Sequence, residues 1–427
     1  MILYSSGSER HDLTAADIRE GLNRALDRMG DPSRILIIPP DITRYHSRAG
    51  EITRMVFDRY GGGVTDILPA LGTHKAMTEA EMDLMFPGVP HHLFRVHDWR
   101  HDVLRIGEVP GTFISEVTGG ALSYSWPAEI NRLVYEGGHD LVLSVGQVVP
   151  HEVIGMANYN KNLLIGCGGP EGINKSHFLG AVYGMERLMG IADNPVRQVL
   201  NYASREFLSH LPVLYILTVQ APVANDPEGR MVTRGLFIGT GEEVFLEAAA
   251  LSQKVNHTDV GKPLSKVVVY LDPGEYRSTW LGNKAIYRTR MAIADGGELI
   301  VLAPGVREFG EDPEIDRLIR KYGYHGTPAT LDAVNKSAEL RNNLSAAAHL
   351  IHGSSEGRFR ITYCPGGLSR KEVEDAGFGY LDPEEGLKTW PPDRVSEGFN
   401  LTADGVSFFF IRNPATGLWT AGQTGRY

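Results

Sequence analysis

Apolar positions near the start of the chain recur at helical spacing. Ile18, Leu22, Ala25, Leu26 and Met29 make one stripe, which predicts an amphipathic helix. Thr14 can cap it, with Asp17 three residues on as a weaker form of the capping box. Asp31 and Pro32 break the pattern. The run Ile35–Ile38 reads as a buried strand stopped by Pro39 and Pro40. The cycle then repeats. Gly61-Gly62-Gly63 leads to an apolar strand at 64–68 and a loop ending in Thr73-His74, and Thr78 with Glu81 is a capping box for the next helix. Residues 140–145 form another buried run, followed by Gly146-Gln147-Val148-Val149-Pro150-His151. Strands alternating with helices predict an α/β fold with a largely parallel sheet.

A second α/β region begins near residue 260. It shows strands at 267–271, 299–303 and 358–363, and a helical stretch from about 278 to 294 that ends at Asp295-Gly296-Gly297. The tail strand at 406–411 is expected to fold back on the first domain. The chain thus divides into an N-terminal α/β domain (1–260), a C-terminal α/β domain (261–397) and a tail (398–427), with the active site expected in the cleft between the two domains. Such a division suits 427 residues, too many for one simple core.

The formal net charge of -10 disfavours nucleic acid and anionic membrane as partners, since both need basic surface. Two distant cysteines, Cys167 and Cys364, exclude a disulfide framework and a four-cysteine zinc site. There is no secretory pattern at the N-terminus and no apolar run of membrane-spanning length. A reduced, cytoplasmic setting is the expectation.

Ligands of open α/β sheets bind beyond the carboxyl ends of the strands. Three expected strand ends carry unusual polar residues: Asp41 and Arg44, His74, and His151. Each also has a bland role. Asp41 and Arg44 fit a loop ion pair with an Asx turn. His74 fits a helix cap, and His151 a bond to a carbonyl beneath the sheet. The functional reading rests on their recurrence at equivalent positions. Rival motifs fail. His151-Glu152 has no second His at zincin spacing. Ser144-Val145-Gly146 lacks the first Gly of a nucleophile elbow. Gly166, Gly168 and Gly169 miss the dinucleotide-binding spacing, and no phosphate loop ends in Gly-Lys-Ser/Thr.

The segment PHEVIGMANYNKNLLIGCGGPEGINKSH, from Pro150 to His177, resembles the lactate racemase family, whose members use nickel and a pyridinium-derived pincer nucleotide. In that family a Pro-His is followed ten residues later by Lys, and sixteen residues after that by His. Here these are His151, Lys161 and His177. The family's Asp-x-x-Arg matches Asp41 and Arg44, and its Gly-x-His turn matches His74. The stretch from His97-Asp98-Trp99 to Gly111, and Lys284 twelve residues before Gly296-Gly297, also match. The resemblance implies a racemase or epimerase acting at C2 of a small 2-hydroxy acid by reversible hydride transfer. It implies a nickel-pincer nucleotide tethered to Lys161, with His177 as the protein's nickel ligand. It makes His74 and His151 the acid–base pair, and Arg44 and Lys284 the holders of the substrate's oxygens. It casts Asp41 as the residue that orients Arg44 or a neighbouring His, and it implies cofactor-synthesis proteins as maturation partners.

Two stretches depart from the family. Gly155-Met156-Ala157-Asn158-Tyr159-Asn160 replaces Gly-Phe-Ser-Gly-Gly-Arg before Lys161. Trp280-Leu281 replaces Tyr-Gln before Lys284. An apolar Leu281 beside a bulky Trp280 favours an aliphatic substrate over a polyhydroxylated sugar acid. Two alternatives stay open from sequence: a zinc hydrolase using His74, His151 and His177, and a non-catalytic sugar-acid-binding relative. Oligomeric state is not legible.

Overall fold

The apolar runs become strands because each buries side chains on both faces of a sheet. In the computed structural model, which describes residues 1–223, 230–402, 404–415 and 417–422, two units emerge. The first comprises Met1–Ser176, Leu188–Val223 and Arg230–Asn256, and the second comprises His177–Arg187 and the described residues from His257 onward.

The first unit is built on six strands: β1 (Ile2–Gly7), β2 (Ile35–Ile38), β3 (Val64–Ile67), β4 (Leu141–Gln147), β5 (Val213–Pro222) and β6 (Met231–Gly239). Their order in the sheet is β1-β6-β5-β4-β2-β3. The pairs β2–β3, β2–β4 and β4–β5 are parallel, whereas β6 is antiparallel to both its neighbours. From β2 the chain moves to β3 on one side, and the next strand of the sheet, β4, lies on the other. The carboxyl ends of β2 and β4 therefore flank a topological switch point, the place where open α/β sheets take their ligands.

One face of this sheet is covered by α1 (Ala15–Leu26) and α2 (Ala49–Tyr60), whose Ile18, Leu22, Ile52 and Val56 share a buried core with Leu143, Leu214 and Ile216. The start of α1 is closed by the expected capping box: Thr14 Oγ1 accepts from the Asp17 N–H, and the Asp17 carboxylate accepts from the Thr14 N–H at 2.8 Å. The short α3 (Glu79–Met85) opens on the Thr78–Glu81 capping box. The helix α4 (Pro170–Tyr183) follows, then α5 (Pro195–Phe207) and α6 (Glu242–Val255). Tyr215 alternates with Leu214 and Ile216 along β5, so it points to the face opposite α1. There its ring meets Tyr159, which stacks on Phe245 of α6.

The second unit carries β7 (Leu264–Tyr270), β8 (Ile293–Ala303), β9 (Arg360–Pro365), β10 (Gly379–Tyr380), β11 (Gly398–Leu401) and β12 (Ser407–Ile411), in the order β10-β9-β8-β7-β12-β11. All pairs are parallel except β11–β12. Both sheets are thus largely parallel, as the alternation of elements predicts.

Three sequence expectations need correction. The first strand of the chain is β1, which precedes the first expected element. Its short mixed run ILYSSG is only partly buried throughout and gives little periodic signal. The tail does not return to the first domain: β12 pairs with β7, and Leu418–Thr420 pairs with His257–Asp259. Its apolar Phe408 and Phe410 are buried against Val268 and Ile300. The helix expected at about 278 to 294 is two single turns, α7 (Thr279–Gly282) and α8 (Lys284–Tyr287), with β8 already under way at Ile293. The break falls at Asn283, whose amide is held by the Tyr363 hydroxyl at 2.7 Å and lies 3.3 Å from His349 Nε2. Those bonds compensate for the lost helical continuity.

Gly50 in α2 sets how closely the next helix approaches. A Cβ there would lie 1.7 Å from the Met85 carbonyl oxygen at the end of α3. Helix propensity alone favours Ala over Gly by about 1 kcal/mol, but displacing a backbone costs more. Gly50→Ala should therefore lower stability by roughly 1–3 kcal/mol, read as a drop in the urea midpoint. An unchanged or higher midpoint would show that α3 yields freely.

Candidate active site

Each strand end at the switch point supplies one part. After β2 the chain enters a single short helical turn, Ile42–Ser47, capped by Asp41: its Oδ1 accepts from the Thr43 N–H at 3.2 Å and from the Thr43 hydroxyl at 2.5 Å. The other oxygen, Oδ2, meets His74 Nδ1 at 2.6 Å, across from the loop after β3. Asp41 is buried. Burial by itself raises a carboxyl, but here the His74 charge and hydrogen bond, the Thr43 hydroxyl and Arg44 outweigh it and bring Asp41 down to about 2. A carboxylate so held fixes Nδ1 of neutral His74 as the N–H and leaves Nε2 as its acceptor nitrogen. Of the two roles foreseen for Asp41, the one on histidine carries the hydrogen bond. Arg44 stands at a kink in the capped turn, at φ -117° and ψ 32°. It is partly buried, and among the described residues no side chain pairs with its guanidinium.

Lys161 enters from the segment after β4. It heads a wide turn, Asn162–Gly166, in which the Cys167 N–H reaches back to the Asn162 carbonyl at 3.1 Å, a π-type bond. Two ties place this turn at the strand ends. Asn162 Nδ2 donates to the Ile38 carbonyl at 3.0 Å and to the Ser144 hydroxyl at 3.1 Å, on β2 and β4. The Gly72 N–H donates to the Gly166 carbonyl at 2.8 Å, joining the turn to the His74 loop. Burial, reinforced by the positive charge of Arg44, lowers the Lys161 amine to about 8, against the opposing pull of Glu152 and Asp41. A lysine so perturbed has a substantial neutral, nucleophilic fraction near neutral pH.

His151 sits on a tight hairpin in which Pro150–His151 pairs with Gly155–Met156. Gly155 has φ +73°, and a Cβ there would lie 1.9 Å from the Ile191 carbonyl oxygen, so only glycine fits the turn. The Val153 N–H donates to His151 Nδ1 at 3.1 Å. In its neutral form the ring therefore carries its proton on Nε2. Glu152 Oε2 lies 3.7 Å from the same Nδ1, where it can receive that nitrogen once it is protonated. The two histidines are thus unlike: one has its Nδ1–H fixed by a carboxylate, the other accepts at Nδ1 from a backbone amide.

Sequence reasoning missed the residue that holds this segment up. Arg197 on α5 is fully buried. Its Nη2 donates to the Met156 carbonyl at 2.7 Å, the Asn158 carbonyl accepts at 3.4 Å, and the Asn160 side-chain oxygen accepts a further bond. The guanidinium lies 4.4 Å over the Phe245 ring. Burial lowers it to about 10, still charged at neutral pH. Under this grip Asn158 and Tyr159 take φ +66° and +60°, a left-handed conformation rare outside glycine. The only hint in sequence is a charged residue inside the apolar stripe Val196, Val199, Leu200 and Ala203. Also buried is His97, whose Nε2 donates to the Gly168 carbonyl at 3.0 Å while Asn131 approaches its Nδ1 at 3.0 Å. This is a structural fit that secures the glycine turn before α4.

The remaining candidates lie on the second unit. His177 is partly buried on α4. Lys284 opens α8, with its ammonium 5.6 Å from the Tyr276 ring centroid. Trp280 on α7 stacks on His349 at 4.4 Å, and a buried chain of hydroxyls, Thr279 to Tyr324 at 2.8 Å and Tyr324 to His349 at 3.0 Å, backs it. Asp41, Arg44, His74, His151 and Lys161 thus belong to the first unit, and His177, Trp280 and Lys284 belong to the second. Among the described residues no three His, Cys, Asp or Glu side chains form a cluster suited to a metal ion.

The fold has counterparts among known proteins. Residues 15–188 match the model of the lactate racemase N-terminal domain. Among solved structures the chain resembles a protein from Thermotoga maritima, with a TM-score of 0.81 and 24% identity over 97% of this chain and 99% of that one. It also resembles the lactate racemase apoprotein from Thermoanaerobacterium thermosaccharolyticum, with a TM-score of 0.69 and 19% identity over 98% and 94%. No curated protein matches the sequence. Among the described residues no helix is long and apolar enough to cross a membrane.

Two expectations follow. Labelling of the Lys161 peptide by an amine-reactive reagent should rise with pH to a half-maximum near the value of about 8 set by its surroundings, well below an ordinary lysine. Arg44→Met should move that midpoint up, because a repelling charge is gone; a midpoint at the ordinary lysine value in the unaltered protein would refute the perturbation. The linkage has a definite sign. Between about 8 and the ordinary lysine value the unfolded chain binds a proton that the folded one does not, so this group makes stability rise with pH across that window. Arg197→Met should leave the carbonyls of Met156 and Asn158 without donors and cost roughly 2–4 kcal/mol. It should also expose the Lys161 segment to proteolysis, and an unaltered urea midpoint would count against the role assigned here.

Proposed function

We propose that the chain is a racemase or epimerase that inverts C2 of a small 2-hydroxy acid. The observation that carries this reading is the cluster at the strand ends of the first unit: a base preset by a buried carboxylate, an arginine with no described partner, and an amine lowered to about 8. The match of residues 15–188 to the lactate racemase domain supports it.

The family's nickel-pincer nucleotide, when bound, supplies an electrophilic centre able to take a hydride from C2 and give it back. The residues present fit such a group in the property the structure shows, an amine held partly neutral at Lys161, as formation of a covalent tether from nitrogen requires. Lys161 would hold the group, and His177 would offer an imidazole to the metal. Arg44 binds the substrate carboxylate through its planar fork, and Lys284 is assigned to the substrate's oxygens. His74 takes the hydroxyl proton at Nε2, and the resulting imidazolium is stabilised by Asp41. His151 serves the opposite enantiomer. To do so its Nδ1 must exchange the Val153 N–H for a bond toward Glu152, since an imidazolium has no acceptor nitrogen. The chain's two directions therefore differ in preparation. Apolar Leu281 and the ring of Trp280 point to an aliphatic hydroxy acid.

The test is production of the protein alongside the cofactor-synthesis proteins. Nickel and a mass adduct on the Lys161 peptide are expected, the adduct lost in Lys161→Ala and nickel lost in His177→Ala. His74→Ala and His151→Ala should each lower racemisation by on the order of a hundred- to ten-thousand-fold with nickel retained. In acid-quenched single turnovers each variant should form 2-keto acid from one enantiomer only. Glu152→Gln should slow the His151-dependent direction alone. Near-normal racemisation in either histidine variant, or turnover confined to sugar acids, overturns the corresponding assignment.

A further inference from the structure

The first unit holds a second cavity, away from the strand ends that carry Asp41 and His74. It lies between the last turns of α5 and the first turn of α6, over the start of β5, and has a volume of about 510 Å³, within the size range of small-molecule sites. Tyr159 and Tyr215 line it and are 7% and 5% exposed. Neither phenol hydroxyl has a hydrogen-bond partner among the described residues. Burial, foremost, raises both phenols, Tyr159 to about 12, so both remain neutral donors. The Ser204 hydroxyl, also at the wall, has no partner either. Two largely buried tyrosines whose hydroxyls no described group pairs thus line one cavity and offer it donors that a ligand can use.

The charges define its chemistry. Glu242 accepts from Asn201 Nδ2 at 2.6 Å on one oxygen, leaving the other for the cavity. Arg205 also lines the cavity, so one cation and one anion contribute to its wall. The first turn of α6 has no capping side chain, so its amides add donors. With charges balanced and uncommitted groups mostly hydroxyls, the site favours a neutral molecule rich in hydroxyls. Leu208 and Pro212 on the wall suit the C–H faces of such a ligand.

We propose that this cavity binds a neutral polyhydroxylated small molecule, a free sugar or polyol, independently of the racemase site. The proposal does not rest on the reading of Lys161 or the histidines. The floor of the cavity is continuous with the Lys161 segment, since Asn160 donates to Asn201 Oδ1 at 2.7 Å.

The test uses the full chain made without cofactor-synthesis proteins. Saturation-transfer NMR and calorimetry are run with D-glucose, D-ribose and mannitol, and with lactate and gluconate as anionic comparisons. At least one neutral probe should bind saturably, and Tyr215→Phe and Glu242→Gln should each weaken it roughly three- to tenfold. Arg44→Ala should leave that binding intact. Tyr159→Phe gives the same readout should Glu242→Gln fail to fold by circular dichroism. The proposal is overturned if no neutral probe binds at ~10 mM, if the tyrosine variants bind unchanged, or if Arg44→Ala abolishes binding and so moves it to the strand ends.

Discussion

A buried guanidinium with no carboxylate opposite it is the constraint from which the site follows. The two terminal nitrogens of Arg197 donate to backbone carbonyls and one side-chain amide, all from the five residues that precede Lys161, while its Nε has no partner among the described residues. A charge buried in this way is expensive unless its donors are used. The loop must therefore stay where those oxygens meet it, even with two residues at positive φ. Position and strain in the loop are thus consequences of the cation behind it. The aromatic shell of Tyr159 and Phe245 adds cation–π contact and excludes water from those bonds.

In front of the loop the electrostatics are mutual. Arg44 helps to keep Asp41 ionised and helps to keep Lys161 neutral. Asp41 orients His74 and opposes the shift on Lys161. One arginine thus sets two neighbours in opposite directions, because charge repels charge on the lysine and attracts it on the aspartate. Removing it disturbs a carboxylate and an amine together, which makes single-residue effects here non-additive.

Legibility in the sequence followed the range of the interactions. The capping boxes at Thr14 and Thr78 and the buried run Ile35–Ile38 are local patterns, and they form as local physics requires. The polar strand ends were legible because fold class says where to look, and the Asp41–His74 contact joins two of them. What escaped depends on distant partners. The break at Asn283 is made by Tyr363 and His349, remote in sequence. The tail pairs with β7 through apolar residues that any sheet edge would accept. Arg197 has a local context of ordinary helix, and only the arrival of carbonyls from 156 to 160 explains its burial.

The grip of Arg197 also bears on how this loop can be exchanged. In the stretch Gly-Phe-Ser-Gly-Gly-Arg of close lactate racemase relatives, an arginine occupies the place of Asn160. Transplanted here alone, that arginine would meet the guanidinium of Arg197 where an amide oxygen now accepts its proton. Two cations would face each other in a pocket closed to water. Loop and helix are therefore a matched pair in this chain, and a graft that replaces positions 155 to 160 must change position 197 along with them.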